Sequence, residues 1–357
     1  MPASFSIQSA SGSYDVSVQQ GSFVTLLEQV EGATILADEF LRPLLVNAGV
    51  PATFVQAIEE NKSLEASPLL IQQMRAAGVN RQTRLIAVGG GIVQDISAFI
   101  ASVYMRGIEW TYVPTTVLSM VDSCIGGKSS INVGPYKNLV GTFHPPVQIT
   151  IDPALITTLP QADRASGLIE AAKICFCRGE DAFNEYLSFQ PSASMPLADL
   201  EGVINISLLS KKWFIEIDEF DKKERLLLNF GHTFGHAIEG ATHFGIPHGI
   251  AVGLGIACAL EFGEMAGTEY SATPAVRYLR DHIANLVSSC PDVGERLQAM
   301  SLQDVLDRFR SDKKHGKDFY TLILVSEKGA VELRRLPKDN QTIARVQQAF
   351  ERVIGKF

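Results

Sequence analysis

The stretch TRLIAVGGGIVQDISAFIASVYMRGIEWTYVPTT, residues 83–116, restricts the fold more than any other part of the chain. A short apolar run ends in Gly89, Gly90 and Gly91. Apolar residues then recur at helical spacing over 93–105, and a second strand-like run follows at 109–116. Strand, tight turn, helix and strand form a βαβ unit, which predicts an α/β domain with a parallel sheet. Glycines at such a turn let the backbone approach a ligand, and the N–H groups opening the helix attract a pyrophosphate. The spacing is not GxGxxG, so a plain tight turn competes with nucleotide binding as the reason for the glycines.

Around this unit, ATILADEF (33–40) reads as a strand ending at Asp38, and PLLIQQMRAAGV (68–79) as a helix. From about residue 160 the pattern turns mainly helical, at 160–177, 200–221 and 249–267, with short strands late at 319–326 and 330–336. The expected architecture is an N-terminal α/β domain over 1–160 and a mainly α-helical C-terminal domain over 161–357. No repeat or low-complexity tract interrupts either part. With 357 residues, 46% hydrophobic and 20% charged, the chain can bury the cores of two domains.

Composition also sets aside some partners. A net charge of −8 argues against non-specific binding to nucleic acid or to an anionic membrane surface, while leaving an anionic small substrate open. No secretory leader is legible at the N-terminus, and no apolar run reads as long enough for a membrane span. The five cysteines are scattered and never spaced CxxC, which fits buried thiols in a reducing, cytoplasmic setting.

Chemistry concentrates in NFGHTFGHAIEGATHFGIPHG (229–249), which holds four of the seven histidines. On a helix His232 and His236, four apart, share a face and could reach one ion, with Gly231 and Gly235 leaving room for close approach. PHG reads as a turn that places His248 at a helix start. A catalytic metal site of three protein ligands calls for a carboxylate, and Glu170 stands on an otherwise apolar helix, where a lone charge needs a partner. Helix caps and satisfied core polar sites are the competing reading of these histidines; His243 looks like a bystander. Arg106, Lys128, Lys137, Lys173, Lys211, Arg225, Lys313 and Lys314 lie in apolar or glycine-rich settings, where a cationic site for an oxyanion competes with plain solvation.

Four segments, GGGIVQDISAFIASVYMRG, VPTTVLSMVDSCIGGKSSINVGPYKNLVG, TLPQADRASGLIEAAK and RLLLNFGHTFGHAIE…PHG, together resemble the 3-dehydroquinate synthases of the sugar-phosphate cyclase superfamily. The resemblance runs in order from about Asp38 to Lys314. It implies a homodimer whose subunits have an NAD-binding α/β domain, a helical domain and a cleft between them, using NAD with a divalent metal, zinc or cobalt. The metal ligands implied are Glu170, His232 and His248, with His236 serving substrate phosphate and proton transfer instead. The implied substrate contacts are Asp122, Lys128, Lys137, Asn138, Lys173, Lys211, Arg225, Asn229 and, of the pair in DKK, Lys313; Arg106 reaches phosphate across the dimer. The implied NAD contacts are Asp38, Glu59, Lys62, Gly90, Gly91, Asp95, Thr115, Thr116, Thr158, Leu159 and Asp163, with Lys128 and Lys137 shared.

The resemblance further implies conversion of 3-deoxy-D-arabino-heptulosonate 7-phosphate to 3-dehydroquinate and phosphate, in the shikimate route to aromatic amino acids. A cyclase for another heptulose phosphate and a metal-dependent polyol dehydrogenase are the alternatives. Departures from the family pattern include Gln94 in place of the usual glycine before Asp95, a shortened 179–202, and EIDEFDKKERLLLN, which keeps Arg225 and Asn229 without the usual glycines.

Overall fold

The computed structural model describes residues 3–10, 12–134, 136–270 and 273–357. The chain groups into two compact units, Met1–Thr158 with Ile215–Glu219, and Leu159–Phe214 with Phe220–Phe357. The sequence reading drew a single division after residue 160; the return of 215–219 to the first unit lies outside it. In that unit the carboxylates of Glu216 and Glu219 accept hydrogen bonds from the backbone N–H groups of Gln8 and Ala10 at 3.1 and 2.6 Å.

The first unit is built on the strands β1 (Ala3–Ser9), β2 (Gly12–Val18), β3 (Ala33–Asp38), β4 (Thr53–Val55), β5 (Arg84–Gly89), β6 (Trp110–Pro114), β7 (Ile131–Val133), β8 (Tyr136–Val140) and β9 (Gln148–Ile151). Its helices are α1 (Ser22–Leu27), α2 (Arg42–Asn47), α3 (Ser67–Ala76) and α4 (Gly91–Val103). Among the described residues the main sheet runs β1-β2-β9-β6-β5-β3-β4, parallel from β2 onward, with β1 antiparallel at its edge. β5 and β6 are almost wholly buried because helices cover both faces of the sheet, which explains their unbroken apolar runs. Ile35 and Ala37 of β3 and Ile86 and Val88 of β5 pack with Phe23, Leu26 and Leu45 into one core cluster. Burying each large aliphatic chain of this kind contributes roughly 1.5–3 kcal/mol.

β4 and β5 lie on opposite sides of β3, so the winding reverses between β3 and β5. Open α/β sheets bind ligands beyond the carboxyl ends of the strands at such a reversal. The register pairs Ala37 with Val88, which sets Asp38, at the end of β3, beside the glycine turn that follows β5.

The second unit consists of α5 (Gln161–Arg178), α6 (Glu180–Ser188), α7 (Leu197–Ile217, whose last turn groups with the first unit), α8 (His232–Ala241), α9 (His248–Met265), α10 (Pro274–Val287), α11 (Val293–Ala299), α12 (Leu302–Arg310) and α13 (Asn340–Ile354), with the hairpin β10 (Phe319–Val325) and β11 (Val331–Pro337). The α/β and mainly helical parts thus appear as the sequence pattern predicts. The helix α9 corrects one expectation. Over its 18 residues it has the length and mean hydropathy, 1.2, of a membrane span. It is 78% buried among α5, α8, α10 and α13, and a helix enclosed on all sides is apolar on all sides.

α8 and α9 touch backbone to backbone. A Cβ added at Gly255 would lie 2.0 Å from the carbonyl oxygen of Gly231 and 2.6 Å from the nitrogen of Gly235, and one at Gly235 would lie 2.7 Å from the oxygen of Ala251. Gly231 also has φ 78°, a left-handed conformation that favours glycine, immediately before His232. The glycines that the sequence reading reserved for close approach therefore admit the neighbouring helix. Gly255→Ala should cost about 1–3 kcal/mol or more in urea unfolding, because the clashing atoms are backbone and cannot rotate away; native stability would show that the two helices separate freely.

Candidate active site

Three helices of the second unit bring four side chains together. His232 opens α8, His236 follows one turn later, His248 opens α9, and Glu170 lies in the middle of α5. One ring nitrogen from each of the three histidines lies within 4.8 Å of the others. Oε1 of Glu170 lies 3.8 Å from Nε2 of His232 and 3.6 Å from Nε2 of His248. Lys173, one turn along α5, binds the other oxygen, Oε2. Glu170 is 1% exposed and its Oε1 has no hydrogen-bond partner. A buried polar atom left unpaired costs roughly 1–3 kcal/mol, more if charged, so this oxygen calls for a cation.

The donor set fits a metal ion. Two donors each about 2.0–2.1 Å from a tetrahedral ion stand about 3.4 Å apart, close to the observed spacings. Nδ1 of His232 lies 3.3 Å from the carbonyl oxygen of Phe230, and Nδ1 of His248 lies 3.2 Å from Oε2 of Glu239. Both oxygens only accept, so both Nδ1 atoms carry a proton, and each ring in its neutral form keeps its lone pair on Nε2 toward Glu170. Burial and the nearby Lys173 charge hold the His232 pKa well below its usual value. For His248 burial acts downward too, but the hydrogen bond and charge of Glu239 outweigh it and the pKa is raised. His236 is lowered to about 4 by the protein packed around its ring and by Lys314, although its outer edge is exposed. His243 is exposed in the following loop and stands outside the cluster.

Buried cations accompany these groups in the same unit. Lys173, Lys211 and Arg225 are 2, 7 and 4% exposed; Arg225 and Asn229 share the turn Glu224–Asn229. Of the DKK pair, Lys314 is the half-buried member. Its backbone N–H and its ammonium bind Asp312 at 2.9 and 2.8 Å, and its charge acts on both His236 and His232. Lys313, chosen from the resemblance, is exposed instead, because the turn closed by Asp312 aims the next residue but one inward.

In the first unit, the candidate NAD residues form a second constellation. Asp38 caps the turn after β3, accepting from the N–H of Phe40 at 3.1 Å. Gly90 precedes α4, and a Cβ added there would meet Thr116 Cγ2 at 3.0 Å; at Gly91, the first residue of α4, it would meet nothing within 4 Å. Open space at a helix N-terminus is where a pyrophosphate fits. Thr115 donates its N–H to Gly89, and Thr116 bonds Ser119. Lys62 is buried and reaches Asp95 at 3.2 Å, Asn138 at 2.9 Å and Glu59 at 3.5 Å; Glu59 also lies 3.6 Å from Lys137. The N–H of Ser130 binds the second oxygen of Asp95.

The remaining candidates are more dispersed. Asp122 lies in the π-helical turn Ser119–Ser123, and the Lys128 ammonium stands 6.0 Å from the centre of the Phe143 ring. Arg106 is exposed, with φ 70° next to Met105 at φ 49°. Thr158 ends the first unit, while Leu159 and Asp163 belong to the second.

Three residues escaped the sequence reading. Glu239 stands on an apolar helix just as Glu170 does, and that signal could have found it. Asn132 binds the carbonyl and carboxylate oxygens of Glu59 at 3.2 and 2.9 Å without any sequence cue. Ser123 answers the Gln94 departure. The buried Gln94 amide donates to the Ser123 carbonyl and accepts from its hydroxyl, both at 2.6 Å, bracing the turn that holds Asp122.

Asp95 offers a test by pH. Burial raises its pKa to about 6 despite the Lys62 charge. An acid raised in this way keeps its proton longer folded than unfolded, so its contribution to stability is full below about pH 4 and falls as pH rises through about 6. Relative to Asp95→Asn, the native protein should lose about 2–3 kcal/mol of unfolding free energy between pH 4 and pH 6.5. Parallel stability curves would contradict this.

The 3-dehydroquinate synthase N-terminal family matches residues 52–166, and the 3-dehydroquinate synthase C-terminal family matches residues 167–315. The 3-dehydroquinate synthase of Dictyoglomus thermophilum is 34% identical over 78% of this chain and 77% of its own length. That of Pyrobaculum islandicum is 34% identical over 85 and 89%. A solved 2-deoxy-scyllo-inosose synthase, complexed with carbaglucose-6-phosphate, NAD+ and Co2+, shares the fold at a TM-score of 0.84 and 23% identity over 98% of this chain and 99% of that one. Matched by both halves of one family across adjoining segments, and by relatives at one-third identity over most of their length, the chain belongs to the 3-dehydroquinate synthase family.

Proposed function

We propose that the chain is a 3-dehydroquinate synthase, a phosphate-eliminating carbon–oxygen lyase that converts 3-deoxy-D-arabino-heptulosonate 7-phosphate to 3-dehydroquinate and inorganic phosphate. The observation that carries the reading is the unpaired Oε1 of Glu170 facing His232 and His248, with Lys173 on the other carboxylate oxygen. Glu170, His232 and His248 hold the metal. One carboxylate and two imidazoles, with further positions left to substrate, suit zinc, with cobalt as a substitute. When bound, NAD supplies a reversible hydride acceptor and the metal polarises the substrate hydroxyl.

The chain's own groups do the positioning. Lys173 balances the Glu170 charge, while Phe230 and Glu239 fix the two imidazole orientations. Arg225 offers its planar fork to an oxyanion, and Lys211, Lys314 and Asn229 join it around phosphate and carboxylate. His236 stays neutral at physiological pH, so it can hold or pass a proton at the phosphate. Asp38 takes the ribose, the Gly90–Gly91 turn the pyrophosphate, and the Lys62–Asp95 network, with Glu59, Thr115 and Thr116, lines the remainder of the NAD site. Asp122, Lys128, Lys137 and Asn138 are further substrate positions that the resemblance implies, and Thr158, Leu159 and Asp163 are further NAD positions. The atoms balance with no net redox change, so NAD is regenerated in each turnover. We further place the enzyme in the cytoplasm as a homodimer, with the exposed Arg106 reaching the phosphate in a second copy. The buried cations favour this reading over a dehydrogenase for neutral polyols.

Purified protein given the heptulosonate phosphate, NAD and zinc should release phosphate, and a chelator should abolish the release; no release would end this reading. Glu170→Ala and His232→Ala should lose zinc measured by elemental analysis, whereas His236→Ala should keep it and lose most of its activity. Full zinc occupancy in Glu170→Ala would contradict the ligand assignment.

A further inference from the structure

We propose that Glu239 is a positioning residue for the metal site, its carboxylate holding the His248 imidazole so that Nε2 faces Glu170. The inference deepens the metal-site reading above and rests on it. Glu239 is seven residues past His232 and three past His236 on α8, so all three lie within about one quarter of the helix circumference. A single helix face thereby carries one proposed ligand, one proposed substrate contact and the support of a second ligand. Oε2 of Glu239 lies 3.2 Å from Nδ1 of His248, across the short loop that joins α8 to α9.

Local helix stability does not account for this placement. A carboxylate in the last turn of α8 opposes the helix dipole. Most of the neighbours of Glu239 on α8 are buried apolar groups or glycine, and its own side chain keeps 19% of its exposure. A carboxylate so enclosed requires hydrogen-bonded partners, and the ring of His248 supplies one. A carboxylate behind a ligating imidazole fixes its tautomer and raises its basicity. His232 has only the neutral carbonyl of Phe230 in the equivalent position. Glu239 therefore adds a charge-assisted anchor to one of the two imidazoles.

The test is zinc affinity, measured by chelator competition on the full-length protein. Glu239→Ala should bind Zn2+ about 10–100-fold more weakly, while the circular dichroism and urea midpoint of the metal-free protein stay native. Glu239→Gln keeps an acceptor for Nδ1–H without the charge, so it should recover part of the loss; being nearly isosteric, it decides the question if the alanine variant fails to fold. Native zinc affinity in Glu239→Ala or Glu239→Gln, alongside lost zinc in His248→Ala, would overturn the role of Glu239 alone. Native affinity in His248→Ala as well would overturn the metal-site reading on which it rests.

Discussion

A buried carboxylate oxygen without a hydrogen-bond partner is the constraint around which the second unit is organised. Oε1 of Glu170 faces two imidazole nitrogens at 3.6 and 3.8 Å, while Lys173 neutralises the other side of the carboxylate. A cation bound there would recover the cost of such an oxygen, which is the ground for the proposed metal site. Geometry at this scale is set by backbone contact. Gly231, Gly235 and Gly255 allow α8 and α9 to touch main chain to main chain, and that contact brings His232 and His248 to one carboxylate. A side chain at any of these glycines would move His232 and His248 apart.

The first unit solves a different problem by similar means. At the reversal between β3 and β5, the proposed NAD site takes its anion-binding groups from backbone at the glycine turn and its acid from Asp38. Around it Lys62 ties Glu59, Asp95 and Asn138 together, drawing residues from three segments of the chain into one network. Burial raises the Asp95 pKa even with that lysine beside it, so desolvation exceeds the attraction of the pair. Gln94 extends the same helix to the turn holding Asp122 through two short hydrogen bonds to Ser123. The residue that departs from the family pattern is thereby structurally answered, by a serine 29 positions away.

What the sequence revealed followed from local periodicity. The strand, glycine turn and helix over 84–103 appear where the pattern predicts, as does the helix start at His248. Four-residue spacing correctly put His232 and His236 on one face. Lone charge on an apolar helix singled out Glu170, and the same reasoning applied to Glu239 would have found it. Tertiary relations escaped. β2 pairs with β9 across some 130 residues, and no local signal carries that pairing. Lys313 and Lys314 differ by one position, and the turn at Asp312 decides which turns inward. The apolar length of α9 reports burial within the unit and was not anticipated from its composition.

The three histidines lie close enough to bind an ion by themselves, and the central claim is that Glu170 displaces His236 from that set. X-ray absorption at the metal edge of the zinc- or cobalt-loaded protein measures this directly. Two imidazole nitrogens with carboxylate and other oxygens in the coordination shell is the predicted result. Three imidazoles with no carboxylate oxygen would contradict it.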